Sequence, residues 1–139
     1  MKRISHDEIT YNGDEINFED KPYTGVLFEV NVNGTLLYEG TIVAGYCQGL
    51  NRHWYSNGNL FNEGYYIRGM HHGMYKVWYE NGKPKEQSMY EFGVAVARKR
   101  WDETGSLSKT MDIQFDKRTF NRNKKKLLEW VARHNLKIE

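Results

Sequence analysis

A six-point pattern repeated 24 residues apart limits this 139-residue chain to a modular architecture. The run Gly45, Gly49, Trp54, Tyr55, Asn57, Gly58 returns as Gly69, Gly73, Trp78, Tyr79, Asn81, Gly82. An earlier, worn copy holds Gly25, Val30, Gly34, Leu36, Glu39 and Gly40. A later one holds Gly93, Ala97, Trp101, Gly105 and Leu107, its tryptophan arriving one residue early. Self-similarity at a fixed period means that each unit is one supersecondary element, which buries its apolar side only by stacking on its neighbours.

The unit reads as a β-hairpin. An Asn-Gly pair between aromatic, alternating segments is a strong hairpin signal, because both positions of a two-residue turn need positive φ. Asn57-Gly58, Asn81-Gly82 and Asn33-Gly34 are therefore expected as tight turns. Arg52-His53-Trp54-Tyr55 and Lys76-Val77-Trp78-Tyr79 would be strands leading in, and Leu60-Phe61-Asn62-Glu63 a strand leading out. The glycine-bounded stretch Arg68-Gly69-Met70-His71-His72-Gly73 is expected to link one hairpin to the next and to hold the His pair in a turn. Trp54, Trp78 and Trp101 should form a ladder on one face. The fold class is mainly β: a twisted antiparallel meander of stacked hairpins.

The ends depart from the period. Residues 1–20 read as a capping hairpin, with Glu8-Ile9-Thr10-Tyr11 and Glu15-Ile16-Asn17-Phe18 around Asn12-Gly13. Residues 21–110 hold about four repeats, and residues 117–136 an amphipathic α-helix carrying Phe120, Leu127, Leu128 and Val131 at helical spacing. Asp116 or Thr119 would cap that helix, and the helix would cap the array. A chain of this length is expected to form one domain.

Composition narrows the function classes. The hydrophobic fraction is 39% but the mean hydropathy is −0.81, because 10 Tyr and 4 Trp supply apolar rings with polar edges. The acidic start, Asp7-Glu8, has no apolar signal run, and no stretch reaches the ~20 apolar residues of a membrane helix. A cytoplasmic protein is expected, with Cys47 alone and unable to form an internal disulfide. Charge is graded along the chain. Residues 1–42 carry three basic and eight acidic side chains, residues 43–92 five and four, and residues 93–139 twelve and six. Such a gradient offers different partners to the two ends.

The segments Trp54-Tyr55-Ser56-Asn57-Gly58 and Trp78-Tyr79-Glu80-Asn81-Gly82, with Lys21-Pro22-Tyr23-Thr24-Gly25 upstream and the later Glu63-Gly64-Tyr65-Tyr66, resemble the MORN repeat. They are similar in particular to the MORN-variant units of the YwqK-type bacterial antitoxin family. The resemblance covers about residues 9–110, and the basic C-terminal helix lies outside it. It implies stacked hairpins and, for function, a cytosolic immunity protein that binds a cognate toxin and blocks it by occlusion.

Chemical motifs point away from catalysis. Cys47, His53 and His71 or His72 are the candidate metal ligands, but HExxH, CxxC and a second cysteine are missing. No Gly-x-Ser-x-Gly and no P-loop is present, and Glu39 and Glu63 recur with the period as scaffold residues do. No enzyme activity, metal, cofactor or small-molecule substrate is expected.

The expected partner is a protein toxin, with a nuclease as one candidate. Its contacts would come from the acidic Asp14, Glu15, Glu19 and Asp20 and from an aromatic face of Tyr55, Tyr65, Tyr66, Tyr75 and Tyr79. An unpaired sheet edge could also accept a strand, and leaves room for a homodimer. The alternative is a peripheral module on anionic membrane, or a scaffold. It would use the basic patch Lys117, Arg118, Arg122, Lys124, Lys125 and Lys126. Nucleic acid is the less expected partner of that patch.

Overall fold

A computed structural model describes residues 1–113 and 116–138, the side chain of Asp112 excepted. Its main sheet has nine strands. β1 (Arg3–Ser5) lies at one edge, parallel to β5 (Gly25–Val30). The sheet then runs as an antiparallel meander through β6 (Leu36–Val43), β7 (Tyr46–Trp54), β8 (Leu60–Ile67), β9 (Met70–Trp78), β10 (Pro84–Glu91), β11 (Val94–Trp101) and β12 (Leu107–Asp112). A second sheet of three strands comprises β2 (Ile9–Asn12), β3 (Glu15–Phe18) and β4 (Lys21–Pro22). The helix α1 spans Lys117–Arg133. The fold is thus mainly β, a meander of stacked hairpins with a C-terminal helix.

Two kinds of turn alternate along the meander, at opposite ends of the strands. At one end lie two-residue turns with both residues left-handed: Ala44-Gly45 (φ 47° and 88°), Arg68-Gly69 (47° and 75°) and Phe92-Gly93 (46° and 79°). Both positions positive is the geometry whose twist suits paired strands. At the other end the Asn-Gly pairs close wider loops. Tyr55 N–H donates to Asn59 O at 2.8 Å and Gly58 N–H to Tyr55 O at 3.0 Å, and Tyr79 and Gly82 do the same one unit on.

Asn57 and Asn81 are absent from the left-handed residues, and only their glycines are left-handed, at 89° and 88°. The tight turns therefore fall at Arg68-Gly69 and its counterparts, not at Asn-Gly, and His71-His72 lies within strand β9. Each asparagine acts instead through its side chain. Asn57 Oδ1 accepts from Asn59 N and Asn81 Oδ1 from Lys83 N, both at 2.9 Å. Such a side-chain bond holds the loop without demanding an unusual backbone.

Neighbouring units are stitched by tyrosine. Tyr55 Oη donates to Trp78 O at 2.7 Å, and Tyr79 Oη donates to Trp101 O at 2.8 Å. The three tryptophans recur in place, half-buried at the ends of their strands, but among the described residues no ring contact joins Trp54 to Trp78 or Trp78 to Trp101. The expected tryptophan ladder is replaced by hydroxyl-to-carbonyl struts, which suit a wide loop that leans on the next one.

Two cores hold the sheet. The first packs Ile4, Leu27, Tyr38 and Ile42 of the main sheet against Ile16 and Tyr23, so that the three-stranded sheet covers one face of the early strands. Ile16 N–H donates to Gly45 O, and Gly45 N–H to Tyr23 O, both at 2.8 Å.

In the second core, Leu127, Trp130 and Val131 of α1 pack on Ile67, with Val43, Ala44, Tyr46, Met70 and Phe92 around them. These residues sit at or beside the three two-residue turns, so α1 lies across the turn row. The fit is one of length: three turns two strands apart span about 20 Å, and a helix of this size is about 25 Å long. Asp116 caps α1, accepting from Arg118 N at 3.0 Å and Thr119 N at 3.1 Å. The helix ends at Arg133, three residues before the expected boundary, and Leu136 and Ile138 fold back onto the second core. Leu128, expected in the apolar stripe, is 41% exposed, and Trp130 takes the inward position.

Candidate interaction surface

Strand register sorts the side chains into two faces, because cross-strand partners share a face and so do residues two apart along a strand. One row crosses the whole sheet: Ile4, Leu27, Gly40, Asn51, Gly64, Tyr75, Ser88, Arg98, Met111. Its middle alternates small and large. A Cβ on Gly40 would come within 2.0 Å of Asn51 Oδ1, and one on Gly64 within 2.9 Å of the Tyr75 ring. Ser88, the next in this 24-residue series, is 1% exposed and accepts from Arg98 Nε at 3.1 Å. Each small residue is the floor on which a larger neighbour lies.

On this first face sits an aromatic box. The His71 ring lies 4.6 Å from each of Tyr66, Tyr75 and Tyr90, nearly parallel to Tyr90 at 25°. His71 Nδ1 is buried and has no hydrogen-bond partner. Burial lowers the His71 pKa and raises those of Tyr66 and Tyr75, so the box favours neutral rings. Beyond it, Glu86 receives Arg98 Nε at 3.6 Å and Arg100 Nε at 3.0 Å. Toward the other edge a cleft of about 250 Å³ opens between Tyr11 of the small sheet and Tyr38, Cys47, His53 and Tyr66. Tyr38 Oη donates to Asn51 Oδ1 and lies 3.9 Å from Cys47 Sγ. Burial raises the Cys47 thiol pKa, which makes the thiolate scarce.

The second face, on the side of α1, carries a charged row and an apolar row. The charged row is Glu39, Arg52, Glu63, Lys76, Gln87, Lys99. Leu50 opposite Tyr65, then Met74 opposite Met89 and Ala97, form the apolar one.

The residues singled out from sequence fall in several places. Tyr66 and Tyr75 share the first face, whereas Tyr65 points from the second and is 47% exposed. Tyr55 and Tyr79 stand at the wide loops with their hydroxyls engaged by the next unit. Asp14, Glu19 and Asp20 are exposed on the turns of the three-stranded sheet, and Glu15 is half-buried against Gly45. All six basic residues of the patch, Lys117 to Lys126, are exposed on α1, and Lys124 Nζ lies 5.9 Å from the Phe92 ring.

Of the metal candidates, Cys47 and His53 line one cleft, but His53 Nδ1 pairs with Asn62 Oδ1 at 2.9 Å, and His72 Nδ1 accepts from Phe92 N at 3.0 Å. Among the described residues no three His, Cys, Asp or Glu converge as a metal site would need. Sequence reasoning missed His71 as the centre of a box, together with Tyr90 and Arg98. The series Gly40, Gly64, Ser88 was the available signal, since small residues at the repeat spacing mark where larger side chains lie over backbone.

The family model described as MORN repeat variant matches residues 48–68 and 72–91. No curated protein and no solved structure matches the chain. The matched segments are β7 into the turn after β8 and β9 through β10, the two hairpins with the complete six-point pattern. The chain is therefore a carrier of MORN-type repeats, with two MORN repeat variant units at the centre of its meander.

Proposed function

We propose that the chain is a cytoplasmic immunity protein, which binds a bacterial toxin and neutralises it by covering it rather than by chemistry. The coarser part, a repeat-built binding or scaffolding module, follows from the MORN repeats. The observation that carries the proposal is the long sheet surface itself: rows of Tyr, His, Asn and Arg fixed by strand register, spread over many strands. Aromatic and arginine side chains dominate interface energies, and a rigid sheet presents them at little entropic cost. The similarity of Trp54–Gly58 and Trp78–Gly82 to antitoxin units supports the choice of a toxin as partner.

The exposed Asp14, Glu19 and Asp20 suit a basic partner surface, such as the cleft of a nuclease. The test is capture of the partner by the tagged protein, followed by expression of that partner alone and together with this chain. Growth arrest by the partner and relief by the chain is the expected result. A captured partner that is harmless when expressed alone would sink the toxin reading.

A second reading is favoured by one observation, the six exposed basic residues of α1. A peripheral membrane or scaffolding module would use them on anionic lipid. It predicts binding to phosphatidylserine vesicles at low salt, lost on neutralising Lys124, Lys125 and Lys126. No binding at low salt removes it.

A further inference from the structure

We propose that the second face carries the docking strip for an amphipathic helix of the partner polypeptide, acidic on the flank facing Lys76 and Lys99 and laid across the strands beside α1. This rests on the reading of the chain as a protein-binding module. The strip is the apolar row Leu50, Tyr65, Met74, Met89, Ala97, which crosses β7 to β11. Tyr65 is 47% and Met89 36% exposed. A groove of about 580 Å³ runs over Leu50, Tyr65, Met74 and Met89, and the returning tail closes one side with Leu136 and Ile138.

Chemistry selects a helix. The polar groups beside the groove are already engaged: Gln48 Oε1 accepts from Arg68 N at 3.2 Å and His72 Nδ1 from Phe92 N at 3.0 Å. The strands beneath pair with each other, so an extended segment lying across them would leave its own N–H and C=O groups unsatisfied against an apolar floor. A helix satisfies its backbone internally and offers only side chains. From Leu50 to Ala97 there are four strand spacings, about 19 Å, the rise of about 13 helical residues. That length supplies anchors at i, i+3 or i+4, i+7 and i+11. Two methionines on the floor adapt to anchors of different shape.

Charge selects the flanks. In the bordering row, Arg52 pairs with Glu63 at 3.1 Å and Arg3 with Glu39. Lys76 and Lys99 form no ion pair among the described residues, and Lys137 lines the groove. The Lys76–Lys99 border is therefore positive over β9 to β11, while Glu91 places a carboxylate near His72 in the groove lining. A helix with acidic residues on the flank that faces Lys76 and Lys99 fits it, and one with basic residues there is repelled.

The test uses the full chain with 13C-labelled methionine methyls. The probe is a synthetic helical peptide of about 14 residues, with leucines at the anchor spacing and glutamates beside them. Its counterpart carries lysines in place of the glutamates. The acidic peptide is expected to shift the Met74 and Met89 methyl signals, less so at high salt, and the basic one is not. Met89→Glu or Tyr65→Ser should each weaken the acidic peptide by about tenfold, as loss of a central anchor does. Both side chains are exposed enough that the fold should survive, which an unchanged melting curve verifies.

Equal shifts from both peptides, or none from either, overturn the proposal. Displacement of the acidic peptide by palmitate at equal concentration overturns it in favour of a small amphiphile. The growth assay separates the two readings. Toxin neutralisation that survives Met89→Glu removes this strip and leaves the immunity proposal standing. A harmless partner removes the immunity proposal and leaves the peptide result standing.

Discussion

Gly45 and Gly58 share a left-handed backbone, φ 88° and 89°, but not the same surroundings. A Cβ on Gly58 would meet nothing within 4 Å. On Gly45 it would lie 2.4 Å from Glu15 Cγ and 3.2 Å from Ile16 O, where the three-stranded sheet docks. Gly58→Ala should therefore cost only the left-handed penalty, about 1 kcal/mol after the entropy gained in the unfolded chain. Gly45→Ala adds overpacking against backbone, for a total of about 2–4 kcal/mol. Urea unfolding of the two variants checks this, and equal costs would mean that the docking of the small sheet is not tight.

His71 gives the pH counterpart. Burial sets its folded pKa below the unfolded one, so the neutral ring is the folded form. Its contribution is complete above the unfolded value of about 6.5 and is lost as pH falls toward the folded pKa. His71→Phe keeps a ring among Tyr66, Tyr75 and Tyr90 and removes the unpartnered nitrogen. The variant should lose less stability between pH 7.5 and 5 than the parent protein. Some decline should remain, because burial lowers His72 as well. An unchanged slope would place the pH sensitivity elsewhere.

Between hairpins, the coupling is carried by few bonds. Tyr79→Phe removes the hydroxyl that reaches Trp101 O, and Tyr55→Phe the one that reaches Trp78 O. Each should cost about 0.5–1.5 kcal/mol in thermal or chemical melts, the worth of one net hydrogen bond. If either variant melts like the parent, the strut is ornamental. These struts also delimit the array. The place after Trp101 that would hold a third tyrosine is occupied by Asp102, which instead closes its own loop through Thr104 N and Ser106 N. The period, the hairpins and the helix were legible because each depends on local pattern: Asn-Gly pairs, alternating strands, apolar residues at helical spacing. Turn type was not, since Asn-Gly suits both a two-residue turn and a wider loop. Tertiary packing at Ala44, Arg68 and Phe92 put left-handed backbone on residues that give no such signal. The faces were illegible for a related reason. Tyr65 and Tyr66 are adjacent in sequence and opposite in the sheet, which only register reveals. β1 joining β5 in parallel left no pattern in three residues.

An array of hairpins is quasi-one-dimensional, each unit touching only its neighbours, so its ends should open before its middle. The helix changes that expectation. α1 reaches from Phe92, where Asn123 Nδ2 donates to the carbonyl at 2.9 Å, to Tyr46, whose ring meets Trp130 edge-on at 6.5 Å. One element thus clamps turns of three successive hairpins, and Leu127, 0% exposed, is at its centre. Leu127→Ala should cost about 2–5 kcal/mol, as deletion of a fully buried leucine does. Where that loss appears is the sharper prediction. A purely local cap would release protection only at α1 and the adjacent hairpin. A clamp would raise amide exchange together at the residues beside Gly45, Gly69 and Gly93, which are 24 positions apart in sequence. Hydrogen exchange by mass spectrometry distinguishes these patterns. Confinement of the change to α1 would mean that the sheet is cooperative without it. The joint response would mean that the segment outside the repeat pattern makes the hairpins one folding unit and holds the sheet surface rigid.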